Sequence, residues 1–147
     1  MQALPFKGFA QVVESVASWQ QAIQLSAKPL VDEGFADISY RDALIENVFD
    51  ECGRGFVAPY AIFPAGTHVK GVFHEASSVL LVRRPFYFEG AQMPIRLLVL
   101  IASTSAHGHL TMLRCTSRVL NDAARVRRIM DCTESEGLEE AFFGGEA

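Results

Sequence analysis

The sequence contains four histidines, and two of them stand close together near a predicted helix. A neutral imidazole has a free ring nitrogen that can attack phosphorus or take a proton near neutral pH. His107 and His109 are two residues apart, so on one helix they cannot share a face. At most one of them therefore points into a site. His68 and His74 fall in a region rich in turn residues and are expected near the surface.

Metal chemistry is not predicted. The three cysteines, Cys52, Cys115 and Cys132, are far apart and form no C-x-x-C pair, which is typical of reduced thiols in a cytoplasm. The histidines and cysteines also lack the ligand spacing of zinc sites. We therefore expect no metal and no other cofactor.

Three hydroxyl residues, Ser103-Thr-Ser105, precede the helix that carries His107 and His109. Hydroxyl groups and free N–H groups at a helix N-terminus can hold an anion. N-capping is the commoner role of such residues, and we favour it here.

Length and composition place these residues in one domain. The chain has 147 residues, of which 50% are hydrophobic and 20% charged, and we expect a single domain over residues 1–147. The net charge of −4 argues against a nucleic-acid partner, and the arginines between Arg114 and Arg128 are interpreted as solvated helix faces. The longest apolar run, Leu97–Ala102, is too short for direct membrane insertion, and the N-terminus lacks the pattern of a signal peptide. A cytoplasmic location is expected.

Helical and strand patterns alternate along the chain. Pro94–Ala102 is apolar apart from Arg96, which predicts a central strand with helices on both faces of its sheet. Ser18-Trp-Gln-Gln21 predicts a capping box and Gly34 a helix end, with a kink at Pro29 between them. The other predicted elements are strands at Gln11–Val16, Ser77–Arg83 and Phe86–Phe88, a loop with short strands over Gly53–Gly71, and helices over Ser39–Gly53, Leu110–Leu120, Asn121–Met130 and from a capping box at Thr133–Glu136 to Phe142. The predicted fold class is α/β, with a mixed β-sheet of four to five strands flanked by helices on both faces.

A series of short motifs runs through the chain in a fixed order. The series comprises Trp19 with Ala22-Ile23, Leu30-Val31 before Gly34, Tyr40 with Ala43, Phe86-Tyr-Phe88-Glu-Gly90, Pro94-Ile95, and His109-Leu110. It resembles the mannitol/fructose-type (type 2) enzyme IIA domains of the bacterial sugar phosphotransferase system. Such domains take a phosphoryl group from a histidine phosphocarrier protein onto a histidine and pass it to enzyme IIB. The resemblance implies the enzyme IIA fold, these partners, and His109 as a second histidine whose N–H orients the acceptor ring or binds phosphoryl oxygens.

Alanine occupies the position that the resemblance gives to the phosphorylated histidine. Counting back without a gap from Tyr87 places Ala65 at that position, and we expect His109 to lie close to it on the first turn of a helix. Tyr60 stands where the family has a glycine. A single engineered His-to-Ala change would not explain Tyr60, so natural loss of the histidine is favoured over an engineered knockout. The expected pocket is lined by Tyr60, Phe63, Pro64, Gly66 and Thr67.

Three functions compete at this point. The first, which we favour, is a non-phosphorylatable regulatory or binding module that docks on the histidine phosphocarrier protein, an enzyme IIB-like transporter subunit, or both. The second is an active phosphoryl carrier that uses His109 or, as a weaker candidate, His68. The third is a small-molecule-binding domain in the former active-site cleft. Homodimerisation is a further option that the sequence leaves open.

Overall fold

The apolar run that ends at Ala102 forms the central strand of a mixed sheet. The computed structural model describes residues 6–46, 56–57, 60–65, 71–88 and 94–144, with 56–57 and 60–65 described through their backbone. The strands in chain order are β1 (Lys7–Val13), β2 (Phe56–Val57), β3 (Tyr60–Ala65), β4 (Ala76–Phe86) and β5 (Ile95–Ala102). Their order across the sheet is β1-β4-β5-β3-β2. β5 lies between antiparallel β4 and parallel β3, which confirms the predicted interior strand.

Helices cover both faces of this sheet. They are α1 (Trp19–Asp32), α2 (Ile38–Glu46), α3 (Ala106–Leu120), α4 (Ala123–Met130) and α5 (Ser135–Phe143). Alternate residues of β5 point to opposite faces: Leu98 and Leu100 pack with side chains of α1 and α2, whereas Val99 and Ile101 pack with side chains of α3, α4 and α5. The predicted mixed sheet with helices on both faces is therefore confirmed.

The start of α1 follows the predicted capping pattern. The Ser18 hydroxyl accepts from the Gln21 N–H at 3.1 Å, and the Gln21 side-chain oxygen accepts from the Ala17 N–H at 2.6 Å. The return bond thus reaches one residue further than in the standard capping box. The two bonds satisfy the N–H groups of Ala17 and Gln21 and fix where α1 begins.

Pro29 does not end α1, which continues to Asp32. Proline has no N–H, so the carbonyl four residues earlier loses its helical donor. That carbonyl belongs to Leu25, and it accepts from the Gln11 side-chain amide of β1 at 2.6 Å. The side chain of a neighbouring strand thus replaces the missing bond. The predicted kink does not interrupt the helix.

Gly34 ends α1 as predicted. Its φ of 81° is in the left-handed region, which glycine adopts without a steric penalty. The Gly34 N–H donates to the Val31 carbonyl at 3.2 Å, and the Phe35 N–H donates to the Leu30 carbonyl at 2.9 Å. These two bonds make a Schellman motif, which satisfies the last carbonyls of the helix.

Several predicted boundaries were wrong by a few residues. β1 begins at Lys7, not Gln11, and the predicted separate strand at Phe86 is the end of a longer β4 whose register shifts after Leu81. The short strands predicted within Gly53–Gly71 are confirmed as β2 and β3, and β3 pairs along its whole length with β5. The predicted helix end at Gly53 lies outside the described residues.

Helix starts late in the chain also differ from the prediction. α3 begins four residues before Leu110, because Ser105 accepts from the N–H of Gly108 and acts as the N-cap. Asp122, not Asn121, caps α4. No side-chain capping bond is formed at the start of α5, where the Ser135 hydroxyl instead accepts from a β1 N–H. Tertiary contact has replaced local capping there.

Within the ranges described above, no helix is long and apolar enough to cross a bilayer.

Leu98→Ala is predicted to cost about 3 kcal/mol of unfolding free energy, because Leu98 is fully buried in β5 and its loss leaves a cavity. The matched control is Leu110→Ala, since Leu110 is 46% exposed and should cost less than about 0.5 kcal/mol. Urea denaturation of the two variants measures both values. Equal losses would contradict the placement of β5 at the centre of the core.

Candidate functional site

Two parallel strands end side by side at one edge of the sheet. Ala65, the last residue of β3, pairs in register with Ala102, the last residue of β5, and Ala76, the first residue of β4, pairs with Ala102 from the other side. Neighbouring strands are about 4.8 Å apart. The backbone at position 65 is therefore one strand spacing from the point where β5 leads into α3. The carboxyl ends of parallel strands are the usual ligand-binding edge of α/β sheets.

His109 lies on the first turn of α3, as predicted. Its N–H donates to the Ser105 carbonyl at 3.0 Å, and α3 contacts both β5 and β3. The ring is partly buried, and its Nδ1 atom is buried with no hydrogen-bond partner in the described part of the chain. His107 is exposed, so only one histidine of the pair is directed inward. The close approach of His109 to Ala65 stays a prediction.

The predicted hydroxyl segment holds a carboxylate of the chain itself. Glu75, which immediately precedes β4, accepts through Oε2 from the Thr104 N–H at 2.9 Å and from the Ser103 hydroxyl at 3.0 Å. The Thr104 hydroxyl lies 3.0 Å from Oε2 and 3.1 Å from Oε1. Ser105 serves as the N-cap of α3. The sequence offered capping and anion binding as alternatives for this segment. Both occur, because Ser103 and Thr104 bind the carboxylate and Ser105 caps the helix.

These bonds determine the charge state of Glu75. Partial burial by itself raises the pKa of the carboxyl group, but the N–H and hydroxyl of Thr104 and the hydroxyl of Ser103 outweigh it and hold the pKa below its ordinary value. Glu75 is therefore ionised at neutral pH. Sequence reasoning missed this residue, because a single glutamate between a turn and a strand carries no periodic or motif signal.

The Glu75 carboxylate also lies directly against the first turn of α3. A Cβ atom placed on Gly108 would be 2.5 Å from Oε2 of Glu75 and 3.0 Å from the Ser103 hydroxyl oxygen. Only glycine leaves room for the carboxylate as it stands. The negative charge of Glu75 is thus held at the positive end of the α3 dipole. It lies against Gly108, the residue before His109.

An open groove runs along α3 beside His109. Its volume is about 520 Å³, and its lining includes Leu110, Arg114 and Arg118. Leu110 is an exposed large apolar side chain next in sequence to the histidine. Leu113 and Asp122 also line the groove, which thus combines two apolar side chains with two cations and one carboxylate.

Arg114 and Arg118 are exposed, in agreement with the solvated face interpreted from sequence. Arg125 departs from that interpretation, because it is half-buried and donates to the carbonyls of Ala141 and Phe142 in α5.

The other predicted site residues are only partly described. The backbone of β3 carries Tyr60, Phe63, Pro64 and Ala65, whereas Gly66, Thr67 and His68 lie outside the described residues. The predicted pocket therefore stays a prediction. His74 is exposed, and its ring meets Phe35 edge to face at 5.7 Å. Within the described ranges, no group of three His, Cys, Asp or Glu side chains could hold a metal ion.

Comparisons with known proteins agree on one family. Residues 7–143 match the family described as "Phosphoenolpyruvate-dependent sugar phosphotransferase system, EIIA 2". An ascorbate-specific EIIA component of Mycoplasma pneumoniae is 27% identical over 126 residues, which cover 85% of this chain and 79% of that protein. The mannitol-specific cryptic enzyme IIA component of Escherichia coli is 22% identical over 134 residues, which cover 91% of each protein.

Two solved structures show the same fold. The solution structure of the mannitol-specific cryptic enzyme IIA from Escherichia coli has a TM-score of 0.83 at 21% identity and covers 95% of this chain and 96% of that one. The mannitol enzyme IIA in a complex with phosphorylated enzyme IIB, also from Escherichia coli, has a TM-score of 0.74 at 16% identity and covers 92% of this chain and 95% of that one.

Glu75→Gln is predicted to lower the unfolding free energy at pH 7 by about 0.5–1 kcal/mol, because a neutral amide accepts weaker bonds from Thr104 and Ser103 at this partly exposed position. The folded-state pKa of Glu75 is below the unfolded one, so its stabilising contribution is complete above the unfolded pKa of about 4.3 and is lost as the pH falls through the folded pKa. The difference between the two proteins should therefore shrink below about pH 4.

Denaturant titrations of both proteins between neutral and acidic pH measure this difference. Glu14→Gln is the control at pH 7. Glu14 is exposed, and its one ion pair, with the exposed Arg84 at 3.5 Å, is solvent-screened. Its replacement should change the unfolding free energy by less than about 0.5 kcal/mol. A gap between wild type and Glu75→Gln that stays constant or widens in acid would refute the assignment.

Proposed function

Because the chain belongs to the EIIA type 2 family of the phosphoenolpyruvate-dependent sugar phosphotransferase system, we propose that it is a non-phosphorylatable regulatory or binding version of enzyme IIA. The observation that carries the proposal is Ala65 at the carboxyl end of β3, at the sheet edge where β5 leads into the helix of His109. In this proposal the chain keeps the enzyme IIA fold and a docking surface but lacks the nitrogen atom that would receive phosphate.

Loss of the acceptor follows from the chemistry of position 65. Phosphoryl transfer between proteins needs a nucleophilic nitrogen in line with the donor, within about 3–3.5 Å of phosphorus at attack. The methyl group of Ala65 supplies no lone pair. A phosphoryl group delivered to this edge of the sheet has no acceptor at the position where the family carries its histidine.

His109 is a poor replacement for the missing histidine. Its Nδ1 atom is buried, so one of its two ring nitrogens is closed to a phosphoryl group carried by another protein. Misplacement of a reacting atom by about 1 Å can cost a hundredfold in rate. His109 lies on the first turn of α3, in the position of the family's assisting histidine. We therefore do not expect it to take over as acceptor.

Docking does not require the lost histidine. The groove along α3 is lined by the exposed Leu110 together with Arg114 and Arg118. An exposed apolar side chain with flanking arginines is typical of protein contact surfaces. A structural relative was solved in a complex with phosphorylated enzyme IIB, which supports a partner of that kind. We therefore propose a histidine phosphocarrier protein or an enzyme IIB-like subunit as the partner.

The chain is predicted to take no label from labelled phosphoenolpyruvate in the presence of enzyme I and the histidine phosphocarrier protein. Ala65→His combined with Tyr60→Gly should gain one phosphoryl group, because the double change restores the nucleophile and the small neighbour. Intact-mass spectrometry of each protein after incubation measures the outcome.

Two further variants separate the competing functions. If the unmodified chain is labelled rapidly and His68→Ala or His109→Ala abolishes the label, the chain is an active phosphoryl carrier and the proposal is wrong. If the double variant stays unlabelled although it folds and docks, Ala65 is not the acceptor position and the residue assignment fails.

A further inference from the structure

The described arginines fall into two groups according to what their side chains contact. Arg41 and Arg84 form ion pairs with carboxylates. Arg96 and Arg125 donate to backbone carbonyls. The other arginine side chains make no hydrogen bond or ion pair within the described part of the chain; they are Arg83, Arg114, Arg118, Arg127 and Arg128. Four of these five lie on the consecutive helices α3 and α4.

The four arginines form a basic surface on one side of the molecule. α3 and α4 cover the same face of the sheet, because Met112 and Val119 of α3 share a core cluster with Ile129 of α4. The four arginines are exposed, so they lie on the outer side of this layer of helices. Residues 106–130 contain five arginines and one aspartate, a net charge of +4 in a chain whose total is −4. Positive charge is thus concentrated on α3 and α4.

The chain does not neutralise the arginines of the groove along α3. Arg114 and Arg118 are four residues apart on one helix, where like charges repel each other and slightly destabilise the helix. Asp122 also lines the groove, but its carboxylate accepts from the Arg125 N–H at 3.1 Å as the N-cap of α4 and pairs with neither arginine. No described residue therefore supplies the anionic complement of this groove.

The same groove has an apolar part next to His109. Leu110 is 46% exposed, and Leu113 also lines the groove. Leu110, Arg114 and Arg118 follow each other at intervals of four residues, so they lie on successive turns of one side of α3. A ligand of this groove has to present an apolar side chain at one end and anionic groups one and two turns further along the helix.

We propose that the groove along α3 binds an acidic amphipathic helix of a partner protein, whose apolar side chains pack on Leu110 and whose carboxylates pair with Arg114 and Arg118. This inference rests on the proposed function, because it names the chemistry of the partner that docks at the groove. An arginine guanidinium binds a carboxylate through two parallel hydrogen bonds. A helix repeats its apolar and charged side chains at the same spacing of three to four residues that the groove shows.

Other occupants fit this surface less well. A second copy of the chain that docked through its own α3 would bring Arg114 and Arg118 against their counterparts, and like charges across an interface are unfavourable. Nucleic acids and anionic membranes are extended polyanions, which the negative net charge of the chain repels. An acidic helix of limited length places its charges on α3 alone.

Fluorescence anisotropy with two labelled synthetic peptides tests the proposal on the full chain. The first peptide is an amphipathic helix with leucines on one face and glutamates beside them, and the second has lysine in place of each glutamate. The glutamate peptide should bind saturably, and the lysine peptide should bind at least about tenfold more weakly. Raising the ionic strength from about 0.1 M to about 1 M should weaken binding of the glutamate peptide, because the screening length falls from about 10 Å to about 3 Å.

Charge reversal in the groove makes the result specific. Arg114→Glu combined with Arg118→Glu should weaken binding of the glutamate peptide at least about tenfold. The matched control is Arg83→Glu combined with Arg84→Glu, since both residues are exposed on β4 outside the groove and the net charge changes by the same amount. This control should bind as wild type does. Arg114→Gln combined with Arg118→Gln should also weaken binding, and it replaces the first variant if that one fails to fold.

Equal affinity of wild type and the folded groove variants for the glutamate peptide, or no binding of that peptide by wild type, would overturn the proposal. Tighter binding of a single-stranded oligonucleotide or of anionic phospholipid vesicles than of the peptide would overturn it as well. Binding of the histidine phosphocarrier protein is measured on the same samples. If wild type binds this carrier but not the glutamate peptide, the inference fails and the proposed docking function stands.

Discussion

Burial of β5 on both faces is the constraint on which the rest of the structure depends. Leu97–Ala102 is fully enclosed, with alternate side chains in two separate cores. A strand without a solvent face needs a partner on each edge and helices above and below it. β4, β3 and the two groups of helices meet that need. The same strand ends at Ala102, directly before Ser103, so its burial also fixes where the hydroxyl segment and α3 begin.

Local signals in the sequence were enough for part of this arrangement. The apolar run predicted β5, Ser18 and Gly34 predicted the ends of α1, and the motif series placed His109 on a first helical turn. In each case neighbouring residues alone determine the outcome, through side-chain periodicity, capping bonds or a positive φ. The family resemblance added the position of Ala65, which no local pattern marks.

Other features depend on contacts between distant segments. β3 pairs with β5 although it contains Pro64, a residue that central strands usually exclude. On its other side β2 pairs only with Tyr60 and Ala61, so Pro64 has no strand partner there among the described residues. Glu75 meets Ser103 only because β4 and β5 are antiparallel in one register. A lone glutamate gives no sign of this in the sequence.

The edge of the sheet where β3 and β5 end carries Ala65, which we propose stands at the acceptor position, together with the N-terminus of α3 and the fixed Glu75 carboxylate. The histidine of an active relative gains and loses negative charge as phosphate passes through it. In this chain Glu75 is ionised at all times near neutral pH. The charge at the N-terminus of α3 is therefore set by a side chain of the chain itself and does not depend on phosphorylation, as suits the proposed binding or regulatory role.

Docking without transfer is the central claim, and phosphorus NMR of a phosphorylated histidine phosphocarrier protein mixed with this chain tests it most directly. The carrier's phosphohistidine resonance should shift or broaden as the two proteins bind, and it should persist with no second phosphohistidine signal. A new phosphohistidine resonance that appears on this chain as the carrier's signal decays would contradict the claim.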